Sequence, residues 1–199
     1  MVFPERLYIG AKMTVSSLMV ALALYRFCHG GAQPLLAAAL CFCWAGDLAL
    51  ALAGEYNNRI QPHRFAAGVV CFAAAQCLFC AVFMQAGALP LWVPAVGAAA
   101  GACLTLALLR AGWLRSGWLR FGGLAPLLLL YAALVGAMAV CAAPLLATAG
   151  RAMGAAGLLF AASDCLIALR SFSCRQTLFR GSLILPLYYA AVFMLALSV

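Results

Sequence analysis

The sequence predicts an all-α, polytopic integral membrane protein with seven transmembrane helices. Three observations carry this. Hydrophobic residues make up 68% of the chain and charged residues 8%, where a soluble domain carries about 25% charge. The apolar runs are long and continuous, without the period-two alternation of barrel strands. The arginines sit at the ends of these runs, where interfacial charges belong.

The spans read as Leu7–Phe27, Pro34–Ala53, Phe65–Gly87, Leu91–Leu109, Phe121–Ala143, Ala152–Leu169 and Gly181–Val199. Each is close to the ~20 residues needed to cross ~30 Å of hydrocarbon. Short connections leave no room for a soluble domain, so residues 1–199 are expected to form one transmembrane unit. The first run is as long as a span and lacks a convincing small-residue cleavage site, so no cleavable signal peptide is expected.

The formal charge of +8 invites a nucleic-acid reading, but the placement of the charge argues against it. With seven spans, Arg6, Arg59, Arg64, Arg110, Arg115, Arg120, Arg170, Arg175 and Arg180 fall on one side, and Arg26 and Arg151 on the other. That bias places the N-terminus in the cytoplasm and the C-terminus outside. Eleven of the twelve basic residues are Arg. With heavy Ala and Gly use, this points to a GC-rich bacterial genome and hence to the inner (cytoplasmic) membrane. The stretch from Trp113 to Arg120, WLRSGWLR, reads as an interfacial anchor and topology signal.

Two spans carry a carboxyl group. CFCWAGDLALALA (residues 41–53) holds Asp47, and LLFAASDCLIAL (158–169) holds Asp164. The other two acidic residues, Glu5 and Glu55, fall near segment ends. A carboxyl inside a span costs roughly 2.5–3.5 kcal/mol on insertion scales, so its presence asks for a reason. Lys12, Asp47, Asp164, Tyr188 and Tyr189 all fall ~8–12 Å below the same membrane edge at 1.5 Å per residue. Gln76 and Tyr131 lie about a turn deeper and would floor a shared pocket. The match between the two aspartate segments is also what a 3+1+3 parallel repeat would leave, spans 1–3 and 5–7 joined by span 4. Chance similarity among Ala- and Leu-rich spans is the alternative.

Two carboxyls beside one lysine should divide their charge, one ionised and one protonated. That is the arrangement in which one carboxyl donates a proton and the other activates water or shields a cation. No serine sits in a GxSxG turn. His29 and His63 lie in connections on opposite sides, so no metal site and no cofactor is expected. Cys41, Cys43, Cys77 and Cys80 lie within spans with no His nearby in sequence and read as small apolar packing residues. The same carboxyls could instead relay protons in a transporter, or simply hydrogen-bond neighbouring helices.

These residues resemble the YhhN family of membrane lysoplasmalogenases. The resemblance runs through GAKMTV with Lys12, CFCWAGDLAL with Asp47, RFAAGVVCFAAAQCLF with Gln76, LYAALVGAM with Tyr131, LLFAASDCLIA with Asp164, and the Tyr188–Tyr189 pair in LPLYYAAVFMLALS. Members usually have a span before the lysine span. They commonly have His at the position of Gln76, and often a Gln shortly after the tyrosine pair. The resemblance implies hydrolysis of the vinyl ether bond of a lysoplasmalogen to a fatty aldehyde and a glycerophospho-alcohol. Asp47 and Asp164 would be the catalytic pair. Lys12, Gln76, Ser163, Tyr188 and Tyr189 would be pocket residues that tune the carboxyls or orient a lysophospholipid. Membrane lipids are the expected surroundings, and no nucleic acid is expected.

Overall fold

The computed structural model of the chain describes residues 5–31, 33–53, 61–114, 122–172 and 183–199. Among these residues there are seven α-helices: α1 (Glu5–Cys28), α2 (Pro34–Leu52), α3 (Pro62–Gly87), α4 (Trp92–Arg110), α5 (Ala125–Ala142), α6 (Arg151–Phe172) and α7 (Ile184–Leu197). Six of them are long and apolar enough to cross a membrane. Helix α7 covers 14 residues where a 19-residue span, Gly181–Val199, was expected. Its expected start, Gly181, lies outside the described residues, as do Phe121, Glu55, Arg59, Arg115, Arg120, Arg175 and Arg180.

Local chemistry sets the helix ends. Pro34 and Pro62 occupy the first turns of α2 and α3, where a missing N–H costs nothing. Helix α5 ends at Ala142 and tightens into a 3-10 turn over Ala143–Ala147. Pro144 lacks the N–H that would continue the α-helical ladder. Arg64 lies in the first turn of α3, and Arg110 and Arg170 lie in the last turns of α4 and α6. The helices alternate in direction, so these three arginines mark one end of the bundle. Arg26 and Arg151 mark the other.

The packing forms a closed ring. Going round it, α1 packs on α2, α2 on α3, α3 on α5, α5 on α6, α6 on α7, and α7 on α1. Two further contacts, α2 with α7 and α3 with α6, cross the centre. Exchanging α1, α2 and α3 for α5, α6 and α7 leaves this set of contacts unchanged. That is the contact pattern of two three-helix units about a pseudo-two-fold axis, with α4 as the peripheral linker. Helix α4 is the least buried span, packed along α5. The core between the units is aromatic, with Phe79, Phe83 and Phe160 fully buried and the Phe79 and Phe160 rings edge to face at 5.5 Å.

Helix α4 comes close to α5 because glycines on both helices leave their backbones room to meet. Gly97 and Gly101 on α4 face Gly136 on α5 so closely that a Cβ on Gly136 would strike the Gly97 carbonyl oxygen. Backbone approach of this kind substitutes for the hydrophobic drive that lipid removes. Gly136→Ala is therefore expected to destabilise the protein by about 1–3 kcal/mol through overpacking. Thermal unfolding in detergent would show it as a lowered midpoint. Gly123→Ala, where a Cβ meets nothing within 4 Å, serves as the control and should leave the midpoint unchanged.

Candidate active site

Asp47 sits on α2 five residues before its end at Leu52, 2% exposed. The residue before it is glycine for a packing reason. A Cβ on Gly46 would lie 2.7 Å from the Phe72 ring, which lies over α2 at that point. Phe72 in turn meets Tyr188 edge to face, with ring centres 6.1 Å apart. The small residue preceding the aspartate thus lets an aromatic wall close against the carboxyl.

Every oxygen of Asp47 is engaged. Lys12 Nζ lies 3.3 Å from Oδ1. Ser16 Oγ and Tyr188 Oη both donate to Oδ2, at 2.6 Å and 2.8 Å. A lysine buried to 7% exposure against a carboxyl is an ion pair, and two added hydroxyl donors complete the environment of a carboxylate. Ser16 was not anticipated from the sequence. The available signal was its position four residues after Lys12, on the same face of α1.

Asp164, on α6, is held differently. Gln76 Nε2 and Tyr131 Oη donate to its Oδ2, at 2.7 Å and 2.9 Å. Gln76 Nε2 also donates to Tyr131 Oη at 3.0 Å, which closes a three-membered ring of hydrogen bonds. Both bonds fall on one oxygen. Oδ1 has no hydrogen-bond partner among the described residues, and no cation there pairs with Asp164. A neutral carboxylic acid fits this pattern, its carbonyl oxygen accepting twice and its O–H left for a ligand.

The two environments repeat the symmetry of the bundle. Asp47 takes its partners from α1 and α7, and Asp164 from α5 and α3. Each carboxyl is thus held by the first helix of its own unit and the third helix of the other. The side chains themselves do not exchange: α1 gives Asp47 a lysine and a serine where α5 gives Asp164 a tyrosine, and α7 gives Asp47 a tyrosine where α3 gives Asp164 a glutamine. The lysine is what separates the charge states of the two carboxyls.

Both aspartates line one cavity of about 100 Å³, together with Lys12, Tyr131 and Tyr188. The rest of its wall is apolar and includes Leu50, Phe65, Val69, Leu128, Ile167 and Leu185. These residues come from the ends of their helices nearest Arg64 and Arg170. The remaining expected pocket residues stand behind this wall. Gln76 is fully buried and acts on Asp164. Its Oε1 is a buried acceptor without a hydrogen-bond partner among the described residues. Tyr189 Oη donates to the Lys12 carbonyl oxygen at 3.1 Å and ties α7 to α1. Ser163, expected at the pocket, does not line it. Its hydroxyl donates back to the Phe160 carbonyl oxygen at 2.9 Å, the usual resting place of a serine inside a helix. Among the described residues no group of three or more His, Cys, Asp or Glu side chains is placed to hold a metal ion. Cys43 and Cys80 are buried while Cys41 and Cys77 are exposed, so neither pair acts as a unit.

Tyr131→Phe removes one of the two donors to Asp164 while keeping the ring in place. The expected result is a loss of about 1 kcal/mol of stability, the net worth of one intramolecular hydrogen bond. Thermal unfolding of the purified variant in detergent would check it.

No curated protein and no solved structure matches the chain. The model of the YhhN family does match, over residues 7–199. That stretch takes in all seven helices but for the first two residues of α1, and both aspartates, and the chain belongs to the YhhN family.

Proposed function

We propose that the protein hydrolyses the vinyl ether bond of lysoplasmalogens, releasing a fatty aldehyde and glycerophosphoethanolamine or glycerophosphocholine. The observation that carries this reading is the unequal pair of carboxyls on one cavity, one paired with Lys12 and one with a free oxygen. Vinyl ether hydrolysis needs this pair of states. Asp164 donates its proton to the alkenyl carbon remote from the ether oxygen, and the adjacent carbon becomes an oxocarbenium ion. Asp47, as the carboxylate, stabilises that cation and takes a proton from the water that adds to it. The resulting hemiacetal collapses. Asp164 recovers a proton from its hydroxyl, Asp47 returns one to the departing glyceryl oxygen, and the carbon–oxygen bond breaks. Both carboxyls end as they began.

The cavity's size supports the same reading. At about 100 Å³, and with a water occupying roughly 30 Å³ in the liquid, it has room for a reacting group and water but not for a whole lipid. The hydrocarbon chain would lie along the apolar wall of Leu50, Val69 and Leu128, and the phosphate would face the arginine-bearing end.

The two-fold arrangement supports a second reading, a proton-coupled transporter in which the aspartates form a relay. One assay separates the two. Detergent-purified protein incubated with a lysoplasmalogen should release fatty aldehyde with multiple turnovers. A transporter would release none, and that outcome would remove the hydrolase reading.

A further inference from the structure

A second cavity lies at the other end of the bundle. It measures about 470 Å³ and is lined by Tyr25, Arg26, His29, Gln33, Ser198 and Val199, with the backbone of the intervening turn. Along α1, Arg26 stands 14 residues from Lys12, about 21 Å at 1.5 Å per residue. This cavity is therefore separate from the carboxyl site.

Its histidine is held in one orientation. The His29 ring stacks on Tyr25 with centres 4.1 Å apart. His29 Nδ1 lies 2.8 Å from the Tyr25 carbonyl oxygen. A carbonyl only accepts, so Nδ1 carries a proton and Nε2 is left as an acceptor, able to receive a ligand O–H such as a headgroup hydroxyl or a protonated phosphate oxygen. Arg26 adds a planar guanidinium, the side chain best matched to a phosphate or carboxylate. Gln33 brings an amide and makes no side-chain hydrogen bond to cap α2.

The lining has one cationic side chain, Arg26, and no acidic side chain, with the Val199 carboxyl group at its edge. The chain contains four acidic residues. Asp47 and Asp164 line the other cavity. Glu5 opens α1 at its opposite end, and Glu55 lies outside the described residues. A guanidinium donor beside an oriented imidazole acceptor suits a phosphate group that also carries an O–H.

We propose that this cavity binds a phosphate oxyanion, supplied either by a phospholipid headgroup of the adjoining leaflet or by free phosphate. The proposal is independent of the hydrolase reading, because it uses no residue of the carboxyl cavity.

Native mass spectrometry of the full chain in detergent tests it, with phosphatidylglycerol, phosphatidylcholine and inorganic phosphate as probes. One bound phosphatidylglycerol should survive detergent stripping. The Arg26→Gln/His29→Gln double variant should retain it about tenfold less well, the worth of a charge-assisted hydrogen bond. Arg26→Lys should retain an intermediate amount, because the charge persists without the guanidinium's planar geometry. If free phosphate is the ligand instead, millimolar phosphate should raise the thermal midpoint of the parent protein but not of the double variant, and no lipid adduct should form. Equal lipid retention by parent and double variant, with no phosphate effect on either, would overturn the proposal. So would failure of every probe to bind the parent, the result expected if the Val199 carboxyl group already satisfies Arg26. All the substituted side chains are exposed, so the variants should fold. An unchanged melting midpoint without ligand would verify it.

Discussion

Asp164→Asn is expected to lower aldehyde release by about 10²–10⁴-fold, the usual worth of a general acid, while the protein folds and melts as the parent does. The geometry explains both halves. An asparagine side-chain oxygen can still accept from Gln76 Nε2 and Tyr131 Oη, which now donate to Oδ2 at 2.7 Å and 2.9 Å. The hydrogen-bond ring survives and so does the packing. The change falls at the other position, where a carboxyl O–H gives way to an amide that does not protonate carbon. Activity near the parent level in a correctly folded Asp164→Asn protein would exclude the acid role.

Lys12→Met has the opposite character. Its largest effect should be on stability, a loss of about 3–5 kcal/mol, because the Asp47 carboxylate stays buried after its cation is removed. Ser16 and Tyr188 still donate to Asp47, but two hydroxyls do not replace a charge. Asp47→Asn should also destabilise, by taking the carboxylate out of the ion pair with Lys12. The Lys12→Met/Asp47→Asn double variant should recover most of the stability lost by either single change, since both charges are then gone. It should not recover activity, because the anion assigned to the oxocarbenium step is missing. Chemical denaturation of the four proteins in detergent, read as a double-mutant cycle, checks the first expectation. The aldehyde assay checks the second. Additive stability losses would mean that the ion pair is not coupled in the folded protein.

These two variants separate what the carboxyls do. One carboxyl is defined by its cation and its loss is structural as well as chemical. The other is defined by its empty oxygen and its loss is chemical alone. A bundle with two-fold helix contacts holds an asymmetric site because Lys12 pairs with Asp47, while no cation among the described residues pairs with Asp164.

Much of this was legible in the sequence. Composition and the length of the apolar runs determined a polytopic helical membrane protein, because hydrocarbon leaves the backbone no alternative that is open and unpaired. The rarity of acidic residues singled out Asp47 and Asp164, and depth counting from the span ends grouped them with Lys12 and Tyr188. Depth is a one-dimensional quantity that a sequence carries. The direction a side chain takes around its helix, and which helices stand next to each other, are not. Ser163 shares the depth of Asp164 but turns back to its own helix, and Ser16 faces Asp47 although nothing but its spacing from Lys12 marked it. Tertiary packing alone decided that α7 serves Asp47 while α3 serves Asp164, that α4 stands outside the ring, and that only one carboxyl receives a cation. The reason is that each carboxyl draws its partners from helices far apart in the chain, and the approach of those helices depends on the summed fit of glycine faces and aromatic walls across the bundle.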